Sequence, residues 1–203
     1  MKFSLQALLV ILLSVFVLQA AHASGIYGVS EVDRGLYRGS RPSKDADFQQ
    51  LKELGIKTIL SLQSSILWKL PEEKKALKKG YNFINLRIFA FSPYIANNRM
   101  VKILDTMRDE SLKPIYVHCQ FGRDRTSLAI GMYRVHAQKW TPEAAYQEMR
   151  EFGFQPGVVW GLYHYFRTHQ TLESLPFSVL AGEEDDPVQV PESLEGDEVS
   201  EAS

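Results

Sequence analysis

Residues 115–127 read Ile115-Tyr116-Val117-His118-Cys119-Gln120-Phe121-Gly122-Arg123-Asp124-Arg125-Thr126-Ser127, or IYVHCQFGRDRTS. Its β-rich start predicts a buried strand over 114–118, and the apolar residues beyond Thr126 predict a helix over 126–138. Between them lies a short loop with a glycine, two arginines and the only cysteine in 203 residues. A strand that ends in a loop and turns directly into a helix is the repeating unit of an α/β fold.

The flanks repeat this unit. Ser43 is expected to cap a helix with Asp45 and Asp47 in its first turn, where the helix dipole favours acids; Ala46 at the third position rules out a full capping box. Phe48, Leu51 and Leu54 follow at helical spacing until Gly55. Lys57-Thr58-Ile59-Leu60-Ser61-Leu62 then reads as a strand. Pro71, Glu72 and Glu73 are expected to open a second helix that ends in Lys78 and Lys79 before Gly80. A strand over 82–86 and a helix from Asn97 or Asn98 through Met100, Val101, Leu104 and Met107 precede the cysteine loop. Beyond the loop every expected element is helical: 126–138, a helix capped at Thr141-Pro142-Glu143 and running to Phe152, and 158–169. Strands alternating with helices imply a mostly parallel central sheet flanked by helices, in a single domain.

Neither end belongs to that pattern. Lys2 precedes apolar runs at 7–13 and 15–18, and Ala21-His22-Ala23 places small residues at the cleavage-determining positions. Residues 1–23 are therefore expected to be a secretory signal peptide, too short in its apolar part for a membrane span. The chain is then exported, periplasmic or secreted, with no membrane anchor after cleavage. Residues 183–203 hold nine acids, two prolines and no Lys or Arg, and read as an acidic disordered tail. The body at 24–182 keeps 22 basic and 15 acidic residues, a net +7 hidden in a whole-chain charge of −1. Such a body attracts polyanions. An exported chain with one cysteine cannot form an internal disulfide, so Cys119 is either a buried structural thiol or a reactive one.

The loop favours reactivity. Backbone N–H groups and the positive end of the following helix make an anion site. The same field stabilises a thiolate. Arg125, six positions on, presents a planar fork that can grip two phosphate oxygens. Gly122 permits a backbone conformation closed to other residues, Thr126 offers a hydroxyl to the sulfur, and His118 is expected to orient the loop. Gln120, Phe121, Gly122, Arg123, Asp124 and Arg125 together would line the phosphate.

HCQFGRDRTS resembles the His-Cys-x-x-Gly-x-x-Arg-Thr phosphate loop of cysteine-dependent phosphatases, the tyrosine and dual-specificity superfamily. Leu36-Tyr37-Arg38-Gly39-Ser40-Arg41-Pro42, the segment at 55–62 and Trp140-Thr141-Pro142-Glu143-Ala144-Ala145 are similar to segments of its compact dual-specificity-like members. The likeness covers about 28–167 and implies their fold. It also implies a mechanism without metal or other cofactor: Cys119 attacks phosphorus, a cysteinyl-phosphate forms, and water hydrolyses it while Arg125 and the loop amides hold the oxygens. Two departures stand out. The stretch at 87–97, where much of the superfamily keeps its acidic residue on a mobile loop, has no carboxylate. Asp105 and Asp109 fall on a helix as solvated residues. Gly-x-Asp-Arg-Thr instead resembles the loop of myotubularin-like lipid phosphatases and of bacterial tyrosine and phosphoinositide phosphatases, which makes Asp124 the expected general acid. Ser127 stands where many relatives have glycine.

The favoured substrate class is inositol polyphosphate, with phytate first, served by Arg41, Arg87, Arg123 and the group Lys69, Lys74, Lys75, Lys78 and Lys79. A phosphotyrosine or dual-specificity protein phosphatase is the runner-up. A binding module that does not turn over is the alternative of another class, disfavoured because binding alone needs no nucleophile. A rhodanese-like sulfurtransferase or an arsenate reductase fits less well, the latter wanting further cysteines. No nucleic-acid partner is expected.

Overall fold

A computed structural model describes residues 26–92 and 94–170; the expected leader at 1–23 and acidic tail at 183–203 lie outside the described residues. Five strands form one sheet: β1 Ser30–Asp33, β2 Leu36–Gly39, β3 Thr58–Ser61, β4 Asn82–Asn85 and β5 Ile115–His118. Their order is β1-β2-β5-β3-β4, with only the β1–β2 pair antiparallel. Six α-helices accompany them among the described residues: α1 Asp45–Glu53, α2 Ile66–Lys78, α3 Asn97–Arg108, α4 Asp124–His136, α5 Pro142–Glu151 and α6 Trp160–Thr168.

Strand side chains alternate between faces, and this alternation decides what surrounds the cysteine. Ile115, Val117 and Cys119 pack with Leu36, Leu60 and Leu62 beneath the α3–α6 layer. Tyr116 and Ile59, opposite one another in the β3–β5 register, face the other way onto Phe48 and Leu51 of α1 and Ala76 of α2. Helix α4 is the central element: residues 126–136 are all buried, which is why its sequence shows no single apolar stripe. A Cβ on Gly131 would stand 2.6 Å from Met149 Sδ, so glycine lets α5 approach α4 closely.

Several boundaries differ from expectation. Helix α1 is capped at Lys44 rather than Ser43; Asp47, its third residue, reaches back to accept from the backbone N–H of Ser43 and of Lys44, both at 2.8 Å. Helix α2 begins at Ile66, five residues before Pro71, which lies inside it. Helix α4 begins at Asp124 and not Thr126, and α6 begins at Trp160 and not Val158. Strands β1 and β2 were not anticipated. β1, Ser-Glu-Val-Asp, owes its place to polar contacts from α4: Tyr133 Oη and Gln138 Nε2 each donate to Asp33 Oδ2 at 2.8 Å, and Arg134 Nη1 donates to Val32 O at 2.9 Å.

Candidate active site

Cys119 follows the last residue of β5, Asp124 opens α4, and only 120–123 lie between. The thiol is 2 % exposed. It stands where the carboxyl ends of parallel strands meet a helix N-terminus, the usual ligand position of an open α/β sheet.

The loop is held on three sides. From β2, Arg38 is 1 % exposed and its Nη2 donates to Gly122 O at 3.0 Å and to Ser127 Oγ at 2.7 Å, while its guanidinium lies 3.7 Å from the centroid of the Phe152 ring. Burial pulls the Arg38 pKa down to about 10, which leaves it charged at neutral pH. The serine at 127, in place of a common glycine, is thus part of a clamp. At the end of β2, Gly39 and Gly122 touch: a Cβ on Gly122 would sit 2.5 Å from the carbonyl of Gly39, and its φ of +70° independently favours glycine. Arg41 N–H also donates to Gln120 O at 3.3 Å.

Beyond β3, the buried Gln63 links two loop residues. Its Nε2 donates to Gln120 Oε1 at 2.8 Å, and its Oε1 faces Arg125 Nη1 at 3.4 Å; the same Nη1 lies 3.4 Å from Leu62 O. Arg125, so held, lines a pocket of about 540 Å³ whose other walls are Ser64, Phe89, Ala90, Phe91 and Ser92. No carboxylate lines that pocket, as the composition of 87–97 anticipates.

The third support lies behind the sheet. His118 points opposite to Cys119, and its Nε2 sits 2.7 Å from Glu72 Oε1, both side chains fully buried. His118 Nδ1 lies 3.2 Å from Cys119 O, and its ring stacks on Tyr116. A carbonyl can only accept, so Nδ1 donates to Cys119 O and Nε2 is the ring nitrogen left facing the Glu72 carboxyl. The expected orienting role of His118 thus acquires a partner. Glu72 was expected as a first-turn acid; it is instead in the middle of α2, its charge turned inward.

Of the other expected residues, Thr126 is fully buried and its hydroxyl has no protein partner among the described residues, leaving it available to the sulfur or a bound anion. Asp124 Oδ1 accepts from Gln155 N at 3.1 Å, on the side of the α5–α6 connection. Arg123 lies 5.3 Å from the centroid of the exposed Phe121 ring and lines a separate recess with Phe152 and Gly153. Arg41 sits 5.0 Å over Trp68, and Arg87 lines a neighbouring hollow with Tyr94 and Arg99. The lysine group does not converge on the pocket: Lys69 pairs with Glu73 at 3.0 Å, and Lys75 and Lys79 pair with Asp45 at 3.7 and 3.1 Å. Asp109 accepts from Ser111 N, and Asp105 lies 3.9 Å from Arg108; both are remote from the loop.

A profile described as the tyrosine phosphatase family matches residues 27–161, from just before β1 into α6. The chain belongs to the tyrosine phosphatase family. It is 34% identical over 111 residues to the phosphatidylglycerophosphate phosphatase PTPMT1 of Arabidopsis thaliana, covering 52% of this chain and 32% of that one. It is 26% identical over 123 residues to the dual specificity protein phosphatase TpbA of Pseudomonas aeruginosa, covering 59% and 51%. The chain thus spans about half or less of these curated relatives' length. Among solved structures, the core catalytic domain of the PP-IP phosphatase SIW14 from S. cerevisiae, crystallised with citrate, shares the fold with a TM-score of 0.61 at 22% identity, covering 71% of this chain and 86% of that one. The sheet flanked by helices expected from the sequence is the fold of this superfamily. Arg38, Gln63 and Glu72 escaped the sequence reading. Each is polar and buried in an element that reads as ordinary strand end or solvated helix, and only the register across β2, β5 and β3 brings them to the loop.

Proposed function

We propose that this protein is an exported, metal-independent phosphatase that hydrolyses phosphate monoesters through a cysteinyl-phosphate. The observation that carries the reading is Arg125, held by Gln63 and Leu62, lining an open pocket at the end of the strand that delivers Cys119. In the first step Cys119 sulfur bonds to phosphorus as the bond to the ester oxygen breaks, with Asp124 giving that oxygen its proton. Water then attacks phosphorus with Asp124 taking its proton, and the thiolate leaves toward the Thr126 hydroxyl. Loop amides and Arg125 hold the three equatorial oxygens throughout. The run from Lys2 into the apolar leader supports export.

The pocket offers one arginine and two phenylalanines. Arg41, Arg87 and Arg123 are distributed over separate surroundings, and three of the five lysines are ion-paired away from it. A fully phosphorylated inositol ring would want those cations converged. The geometry fits better a single phosphate on a polyol, of inositol or glycerol type, which agrees with the phosphatidylglycerophosphate of PTPMT1's name but not with the PP-IP of SIW14's. Phosphotyrosine is a second reading, favoured by Phe89 and Phe91, which offer rings to a phenyl group. Metal-free phosphate release from phytate, a glycerophosphate or monophosphoinositide substrate, and a phosphotyrosine peptide separates these readings, with Cys119→Ser as control. The monophosphate polyol is expected to be turned over most efficiently; a preference for the peptide supports the second reading, and efficient turnover of phytate restores the polyphosphate reading.

A further inference from the structure

Among the described residues, nothing covers the outward face of helix α2. At 3.6 residues per turn, Ile66, Leu70 and Leu77 fall on one stripe, with Lys74, Leu67 and Lys78 beside it. The four aliphatics are 59, 51, 56 and 77 % exposed in the order Ile66, Leu70, Leu77, Leu67. The arc holds no acid; Glu73 sits at its margin, paired with Lys69. Neither Lys74 nor Lys78 has an ion pair among the described residues. The opposite face carries Glu72 and Ala76 into the core.

The face is continuous with the catalytic mouth. Ser64, one residue before the α2 cap, lines the Arg125 pocket, and across that pocket Phe89 and Phe91 are also exposed. Large aliphatic and aromatic side chains standing in water around an active site are costly, and a contiguous set of them marks an interaction surface. Lysines along a leucine stripe, with phenylalanines beyond one end, match the chemistry of the water–lipid boundary, where apolar groups enter the acyl region and lysines attract anionic headgroups. No helix among the described residues is long and apolar enough to cross a membrane, so such contact is peripheral.

We propose that the α2 face and the Phe89–Phe91 rim dock on an anionic bilayer, presenting the Arg125 pocket to phosphate monoesters carried on lipid headgroups. The proposal rests on the phosphatase reading above for its substrate, but its docking step stands or falls separately. The test is co-sedimentation of the full chain with vesicles of phosphatidylcholine alone and mixed with phosphatidylglycerol. It compares wild type, Leu70→Glu with Leu77→Glu, Lys74→Glu with Lys78→Glu, and Cys119→Ser. All share the same termini, so any pull from residues 1–25 or 171–203 is common to them. Wild type and Cys119→Ser are expected to bind the anionic vesicles alike, and each surface pair to bind about tenfold more weakly or worse. The surface pairs should hydrolyse a soluble aryl phosphate at the wild-type rate and a vesicle-borne phosphatidylglycerophosphate or phosphoinositide far more slowly. Loss of aryl phosphate turnover in every variant, with the binding pattern intact, breaks the phosphatase reading and leaves docking supported. Equal vesicle binding by wild type and the leucine pair overturns the docking proposal. So does absence of binding because a second copy or residues 171–203 cover the stripe, which the leucine pair reveals as a changed oligomeric state or changed protease protection of α2.

Discussion

Glu72 shows how much of this site depends on residues that never touch phosphate. It lies on the far side of the sheet from Cys119, yet it backs the His118 ring whose Nδ1 donates to the cysteine's own carbonyl, at the point where strand becomes loop. Removing one member of a buried charged pair costs several kcal/mol, whereas an isostere that keeps a hydrogen bond costs less. Glu72→Gln is therefore expected to melt within a few degrees of wild type but to lose about tenfold in kcat, about 1.4 kcal/mol of barrier, with KM little changed. Steady-state kinetics with a thermal melt checks this; an unchanged kcat with a lowered melting temperature would mean that Glu72 merely fills space. The loop motif was legible in the sequence because nucleophile, glycine, arginine and hydroxyl are local in the chain. Glu72, Gln63 and Arg38 were not, because their roles come from strand register, and an acid after a proline reads most simply as the start of a solvated helix.

At the scale of elements, the start of α4 joins two functions. Its first residue, Asp124, binds the backbone of Gln155 and is the proposed acid, and these roles separate cleanly by substitution. The amide oxygen of Asn can still accept from Gln155 N, but Asn cannot give up a proton. Asp124→Asn is thus expected to fold as wild type, and to lose about 10²- to 10⁴-fold in kcat/KM on an alkyl phosphate, with a much smaller loss in kcat/KM on an aryl phosphate whose phenoxide leaves unaided. Equal losses on both esters would assign Asp124 to holding the α5–α6 connection alone. Helix α2 shows why element boundaries were harder to read than element types. Pro71 suggested a helix start, but the five preceding residues are already helical and largely exposed, so no buried apolar periodicity announced them. Strands β1 and β2 were hidden for the opposite reason: Asp33 and Arg38 are partnered by groups from α4, the phosphate loop and Phe152, and such partners are invisible to local pattern.

The molecule as a whole closes around α4, whose far end is sealed by His136 Nε2 donating to His169 O at 2.8 Å, joining α4 to the residue after α6. Burial pushes the His136 pKa below its ordinary value, so the folded state holds the imidazole neutral. The unfolded chain binds the proton more readily, so the stability linked to His136 is present above about pH 6.5 and is lost as pH falls below it. Thermal melts are expected to decline from pH 7.5 to 5.5, and His136→Gln, which can still donate but does not titrate, should flatten that decline; parallel curves would place the sensitivity elsewhere. The docking face, the pocket and the buried supports all gain their meaning from a transfer of phosphoryl to Cys119. Acid-quenched turnover of a phosphate monoester, followed by mass spectrometry of the Cys119 peptide, tests that transfer most directly. One phosphoryl group is expected on Cys119, accumulating in Asp124→Asn when the ester is an aryl phosphate and absent in Cys119→Ser; turnover that survives Cys119→Ser, or a phosphoryl group on any other residue, would contradict that transfer.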